Sequence, residues 1–162
     1  MAKGKNKRKQ NLEPRIENRR AYRDYHVTEK LECGIVLQGS EVKSIRHGRV
    51  SLAEGYVGVN AQTMELFLFN VDIAMYDNAG SNQHMPKGIR KLLAHKRQIE
   101  KLYGASTAKG ATLIPLAMYF KDGRIKVEVG VAEGKRDYDK RDDIKKREAD
   151  RDIRRGMTRK YL

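Results

Sequence analysis

The chain has 162 residues, 35% of them charged, with a mean hydropathy of -0.77 and a net charge of +14. That composition supports one domain with a real core plus extensions, and leaves little apolar material for a second domain. A membrane span and a secretory leader are both excluded by the pattern, and the single cysteine, Cys33, rules out an internal disulfide and points to a reducing, cytoplasmic setting.

The placement of the charge says more than its size. Met1 to Arg23 carries a net of +7 and Gly134 to Leu162 a net of +5, which leaves +2 for everything between them. A nearly balanced middle between two cationic extensions suits a partner with a repeating negative backbone, so nucleic acid leads the partner classes. An anionic membrane is the rival, but neither end shows the aromatic and aliphatic face that interfacial anchoring needs.

Residues 1–23 read as a basic N-terminal arm, with Lys3, Lys5, Lys7, Arg8 and Lys9 in a stretch without apolar periodicity. From Tyr25 the pattern changes. Tyr25, Val27, Leu31, Cys33, Ile35 and Leu37 alternate with polar residues, as in a strand with one buried face, and open a core over residues 24–133. Gly39 to Arg46 then predicts a short helix, capped by the Ser40 hydroxyl with Glu41 at the favourable end of the dipole. At about 100° per residue Val42 and Ile45 turn inward, and Lys43 and His47 outward.

Ser51 to Val59 and Glu65 to Ile73 are read as two strands joined at Asn60-Ala61-Gln62-Thr63. Ala74 to Gly88, rich in Asn and Gly, is a loop long enough to suspect function. Ile89, Leu92, Leu93, Ile99, Leu102 and Tyr103 repeat at helical spacing, with Arg90, Lys91, His95, Lys96, Arg97 and Lys101 on the other faces, which predicts one basic amphipathic helix. Two further alternating stretches flank Asp122-Gly123, the strongest short hairpin signal. Three strands, a helix and two strands predict a mainly β fold, an OB-type closed barrel whose helix lies between strands three and four.

From Gly134 the alternation stops, and residues 134–162 form a basic tail. Acid-to-base spacings such as Asp137 to Arg141 and Asp143 to Arg147 favour a helix, but by only about 0.3 kcal/mol each. The expectation is a conditional helix, disordered when free. Its apolar residues Ile144, Ala149, Ile153 and Met157 are too sparse for a coiled coil.

No motif supports catalysis. Gly34 and Gly39 have the opening gap of a P-loop, but Ser40-Glu41 stands where Lys and a hydroxyl residue are required. His26, His47, His84 and His95 share no metal-ligand spacing, and one cysteine cannot complete a zinc site. The reading is therefore a protein that is not an enzyme, with no catalytic residue, no metal, no cofactor and no small-molecule substrate.

Set side by side, Gly39-Ser40-Glu41-Val42-Lys43-Ser44-Ile45-Arg46 and Gly134-Lys135-Arg136-Asp137-Tyr138-Asp139-Lys140-Arg141 resemble the small protein B family, the tmRNA-binding (SsrA-binding) proteins of bacterial trans-translation. Asn18-Arg19-Arg20-Ala21, Asp24-Tyr25, Arg90 to Lys96 and Lys126 to Gly130 extend the resemblance over nearly the whole chain. It implies an OB-type barrel that grips the tRNA-like part of tmRNA and a tail that enters the decoding region and mRNA channel of a stalled ribosome. The RNA-facing positions it implies are Asn18, Glu41, Lys43, Ser44 and Arg46, joined by Arg19, Arg20 and the cations Arg90, Lys91 and Lys96. In the tail they are Lys135, Arg136, Tyr138, Asp139, Lys140 and Arg141, with Ile153 and Met157 as an apolar pair one turn apart. Family members often carry an aromatic near Ala149 and a bulky apolar residue at Gly156, where this chain departs. The expected free state is a monomer, and the competing reading is a ribosomal or nucleoid protein that coats nucleic acid through its tails.

Overall fold

The framework is set by two long hairpin-forming strands and the strand that packs along them. The computed structural model describes residues 13–159, so Lys3 to Lys9 of the arm and the last three residues of the tail lie outside the described residues. β1 (Ile16–Glu17) leads into α1 (Arg19–Asp24), β2 (Tyr25–Ile35) and α2 (Gly39–Arg46). Next come β3 (Val50–Ser51), β4 (Tyr56–Asn60), β5 (Glu65–Phe69), β6 (Asp72–Ile73) and β7 (Arg90–Leu93). α3 (Lys96–Ser106), β8 (Ala111–Lys121), β9 (Arg124–Gly134) and α4 (Asp137–Arg159) complete the chain.

β8 and β9 pair from Ala111 with Glu133 to Lys121 with Arg124, and the turn between them puts Asp122 at φ 51° and Gly123 at φ 71°. Those two positive angles are what a tight right-twisting hairpin needs and what Asp-Gly tolerates. β9 pairs on its other edge with β2, from Tyr25 opposite Gly134 to Gly34 opposite Lys126. β4 and β5 form the expected hairpin, Val57 opposite Leu68 and Val59 opposite Leu66. β4 meets β8, β5 meets β7 and β7 meets β2, so the antiparallel pairings run β8-β4-β5-β7-β2-β9 and return to β8. Inside that cycle sit Ile45, Leu66, Leu68, Val71, Ile73, Met118, Val127 and Val129, all with no exposed surface. Burying each such side chain contributes roughly 1.5–3 kcal/mol.

Two sequence expectations change. The helix expected from Ile89 begins at Lys96, and Arg90–Leu93 is a strand in which Arg90 and Leu92 are buried while Lys91 and Leu93 are exposed. Leu92 and Leu93 fit helical spacing as well as alternation, and the pairing of β7 with both β5 and β2 decides for the strand. Each stretch read as a long strand before the loop splits: Leu52 to Gly55 turn between β3 and β4, and Asn70 takes φ 56° between β5 and β6. Gly55 is required there, because a Cβ would lie 2.6 Å from Val71 Cγ2.

Ile16–Glu17 pairs with β8 and Ala21 is buried against Ile114, Leu116 and Ala132, so the end of the arm packs against the body. The tail, expected as a conditional helix, is the single helix α4 of 23 residues. Among the described residues no helix is long and apolar enough to cross a membrane.

Candidate nucleic-acid interface

α2 is fixed from beneath by a buried ion pair. The Gln38 amide donates to Glu41 Oε2 at 2.7 Å, which makes Gln38 the cap of a helix that starts at Gly39, two residues earlier than a Ser40 cap. The other Glu41 oxygen accepts from Arg90 Nε at 2.6 Å, with side-chain exposures of 7% and 3%. Arg90 gives its remaining four donors to carbonyls: Nη1 to Val71 and Gly88 at 2.8 and 2.9 Å, Nη2 to Met85 and Pro86 at 3.1 and 2.9 Å. All five guanidinium donors are thus spent inside the protein, and the buried charge is compensated.

Two more contacts tie α2 to the loop after β6. Ser44 Oγ donates to the Ala74 carbonyl at 2.6 Å, and Ser44 is buried. His84, also buried, sets Nε2 3.0 Å from the Ile73 carbonyl and Nδ1 2.9 Å from Ser40 Oγ. A carbonyl only accepts, so Nε2 carries a proton, and Nδ1 shares a hydrogen bond with the Ser40 hydroxyl.

Above these anchors the surface changes character. Lys43 Nζ lies 5.2 Å over the Tyr76 ring, His47 stacks on the same ring at 6.2 Å between centroids, and Arg46 lies 5.8 Å from the Phe120 ring centre. Lys43, Arg46 and His47 are exposed. Beside Tyr76, Gln38, Gly39, Ser40, Lys43, Asn78 and Asn82 line an open cavity of about 470 Å³. Cations with aromatic rings and free amides are the equipment for phosphates and for unstacked bases.

The sequence-predicted residues therefore divide. Glu41, Ser44 and Arg90 do not reach solvent and hold α2 and its loop in place. Asn18 is also buried. Its Oδ1 caps α1 by accepting from the Ala21 amide at 3.1 Å, and its Nδ2 donates to the carbonyls of Leu52 and Pro115. Pro115 cannot donate to a ladder, and the β8 to β9 register shifts just there, so Asn18 covers the irregularity. Arg19 is exposed, Arg20 pairs with Glu54 at 2.7 Å and Asp24 at 3.4 Å, Lys91 pairs with Glu65, and Lys96 is exposed at the start of α3. The sequence reading missed Tyr76, although it singled out the loop that carries it. It also missed the anchoring role of Arg90, which is signalled only by an arginine at an inward position of an alternating strand.

In the tail, the Lys135 side chain turns into the body. Its amide donates to the Asp24 carbonyl at 2.9 Å and its Nζ to the Tyr22 carbonyl at 3.0 Å and Asp143 Oδ2 at 2.5 Å, with the side chain 8% exposed. The hydrogen bond from Lys135 holds the Asp143 carboxyl below the usual aspartate range. Asp139 lies 3.8 Å from His26 Nε2 and Lys140 3.7 Å from Asp137, while Arg136, Tyr138, Arg141, Ile153 and Met157 are exposed. Cys33 is buried in the core and its thiol is pushed up to about 11 by burial, as an inert packing residue should be.

The sequence matches the SmpB protein family over residues 15–159. The SsrA-binding protein of Carboxydothermus hydrogenoformans is 48% identical over 145 residues, 90% of this chain and 96% of that protein. That of Corynebacterium diphtheriae is 44% identical over 157 residues, 96% and 95% of the two chains. A solved chain described as "tmRNA-SmpB: a journey to the center of the bacterial ribosome" superposes with a TM-score of 0.66 at 42% identity, covering 76% of this chain and 86% of that one. With matched residues running from just before β1 to the end of α4, the chain belongs to the SmpB protein family.

Proposed function

We propose that this protein binds the tRNA-like part of tmRNA and delivers it to stalled ribosomes for trans-translation. The supporting observation is the α2 surface, where Lys43 and Arg46 stand over aromatic rings on a base of buried, fully paired polar groups, in a chain of the SmpB family. The β-strand pairings that return from β9 to β8 support an OB-type closed barrel as the body, with residues 1–23 as arm, 24–133 as RNA-binding core and 134–162 as tail. Direct RNA contacts fall to Lys43 and Arg46, and to the cations Arg19, Arg20, Lys91 and Lys96 on other elements. Asn18, Glu41, Ser44 and Arg90 act through position. The tail, with Lys135, Arg136, Tyr138, Asp139, Lys140, Arg141, Ile153 and Met157, is assigned to the decoding region and mRNA channel. The protein acts as a cytoplasmic monomer until it meets its RNA, and it does no chemistry on it.

Filter binding of tmRNA across a salt series tests the reading. Replacing Lys43 and Arg46 with Ala should weaken binding and lower the slope of log K against log salt by about 0.7–0.9 for each lost phosphate contact. Unrelated structured RNA should compete poorly. Equal competition by any RNA would instead mark a coating protein, and an unchanged salt slope would remove α2 from the interface.

A further inference from the structure

The residue that follows α2 is a histidine, His47, held in place on three sides. Its backbone N–H donates to the carbonyls of Lys43 and Ser44 at 3.3 and 3.1 Å, and its ring lies on Tyr76 with 6.2 Å between centroids and 29° between planes. Nδ1 lies 2.7 Å from the Lys43 carbonyl oxygen. A carbonyl only accepts, so this nitrogen carries a proton whenever the contact is made. Nε2 has no partner among the described residues, and His47 is exposed, which leaves that nitrogen to solvent or to a ligand.

This arrangement decides what the ring can hold. With the Nδ1 proton used on Lys43, a neutral ring has only a lone pair at Nε2, which accepts from a hydroxyl or an amino group and repels a phosphate oxygen. Only the imidazolium, with a second N–H at Nε2, donates to phosphate, and it does so as a charge-assisted bond. The charged groups around the ring suit an anion. Lys43 stands over the same Tyr76 ring, Arg46 is the preceding residue and both are exposed, while the carbonyls that end α2 form the negative pole of the helix and favour a cation beside them. From the loop after β6 come Tyr76 and Asp77, and Asp77 is paired with Arg49 at 3.1 Å. The arm passes Gly48 at Pro14, between the exposed Glu13 and Arg15, and Arg15 lies over Tyr119. A phosphate brought to Lys43 and Arg46 thus reaches a ring whose free nitrogen becomes a donor by taking up a proton, and imidazole is the side chain suited to that exchange near neutral pH.

We propose that His47 is a phosphate ligand of the bound RNA that acts only as imidazolium, so that RNA binding takes up a proton at this ring. The inference rests on the α2 surface being the RNA interface, as argued under the proposed function. Its sign follows from which form binds. The charged ring is the ligand, so affinity is full while the ring in the complex keeps its proton and falls as pH rises beyond that point. A ribose hydroxyl or a base amino group at the same nitrogen needs the neutral ring and gives the opposite slope.

Filter binding of tmRNA by the full chain, from about pH 6 to about pH 8 at one salt concentration, reads this slope. The parent should bind roughly three- to tenfold tighter at the acid end, and His47→Ala should lose most of that difference. His26, His84 and His95 remain in both proteins, so the gap between the two profiles belongs to His47. His47→Lys, cationic throughout, should bind about threefold or more tighter than His47→Ala at the alkaline end, with a flat profile. Both variants should keep the heat-unfolding midpoint, because the side chain is exposed. Calorimetry near neutral pH in two buffers of different ionisation enthalpy should show less proton uptake on RNA binding by His47→Ala than by the parent. The proposal is overturned if the His47→Ala and parent profiles run parallel, if parent affinity rises with pH, or if His47→Lys binds no better than His47→Ala. Lys43→Ala with Arg46→Ala tells this failure from failure of the interface. If that pair weakens binding while His47→Ala leaves the profile unchanged, α2 still holds the RNA and only the role of His47 is lost; if the pair changes nothing, the interface and the proposal fall together.

Discussion

Glu41 and Arg90 carry opposite charges less than 3 Å apart with almost no solvent around them, and each is the other's only charged partner at that site. Removing one leaves the other buried and uncompensated, which costs about 3–5 kcal/mol in comparable pairs. Glu41→Gln keeps the shape and one acceptor but not the charge, so it should lower the unfolding free energy by roughly 2–4 kcal/mol in a urea titration. Arg90→Lys keeps the charge but cannot reach four carbonyls on two arms, and should fall in the same range, about 2–4 kcal/mol. Both should also weaken tmRNA binding, because Val71, Met85, Pro86 and Gly88 lose the group that holds their loop against α2. If either variant kept full stability, the ion pair would not be the anchor described here. Gly130 tests packing in the same way. A Cβ there would sit 2.7 Å from Leu116 Cδ1 and 3.0 Å from Val27 Cγ1, so Gly130→Ala should cost about 1–3 kcal/mol by the same titration.

At the level of elements, what could be read in advance was whatever local chemistry decides. β2 and the β8 to β9 hairpin were legible because their apolar residues alternate along the sequence and Asp122-Gly123 accepts positive φ. β7 was not, since Arg90-Lys91-Leu92-Leu93 satisfies two periodicities and only its neighbours β5 and β2 choose between them. The site divides along the same line. Lys43 and Arg46 were recognisable from helical phase, whereas the burial of Asn18, Glu41, Ser44 and Arg90 depends on residues 19 or more positions away and leaves no local trace. The start of α4 gives an element-scale prediction. Lys135 donates to Asp143 eight residues on, and that hydrogen bond lowers the Asp143 carboxyl below its ordinary value. A lowered folded-state value means the stabilisation is complete above the ordinary aspartate range and disappears as pH falls through the lowered one. Helix at the start of the tail, followed by amide exchange at Tyr138 to Ile144, should therefore hold at neutral pH and loosen in strong acid. Asp143→Asn should show the loosened state already at neutral pH. If the variant and the parent exchange alike, Lys135 does not latch the tail.

For the molecule as a whole, the question is whether body and tail are separable. The buried set ends at Ala132, and every described residue from Asp142 onward except Asp143 is exposed where its side chain is described, so α4 contributes almost nothing to the core. Lys135 is different, since its amide and Nζ close onto the Asp24 and Tyr22 carbonyls, and a cut that spares the body must fall after Arg136. A chain ending there should fold with an unchanged heat-unfolding midpoint. It should bind tmRNA through α2 and the β body, with some loss at low salt because the removed segment carries net positive charge. In the parent protein the far half of α4 should fray in solution, because an exposed helix must offset an ordering cost of about 1–2 kcal/mol per residue from weak local pairs. Inside a channel lined with ribosomal RNA, Lys and Arg gain phosphate partners and the helix becomes worth forming. Peptide tagging on stalled ribosomes should therefore fail for the shortened chain while tmRNA binding survives. The narrower change tests the docking side. Ile153 and Met157 are 56% and 61% exposed and one turn apart, and changing both to Asp should reduce tagging as the truncation does without altering tmRNA affinity. Normal tagging by the shortened chain, or loss of tmRNA binding by a shortened chain that still folds, would show that body and tail do not divide the work in this way.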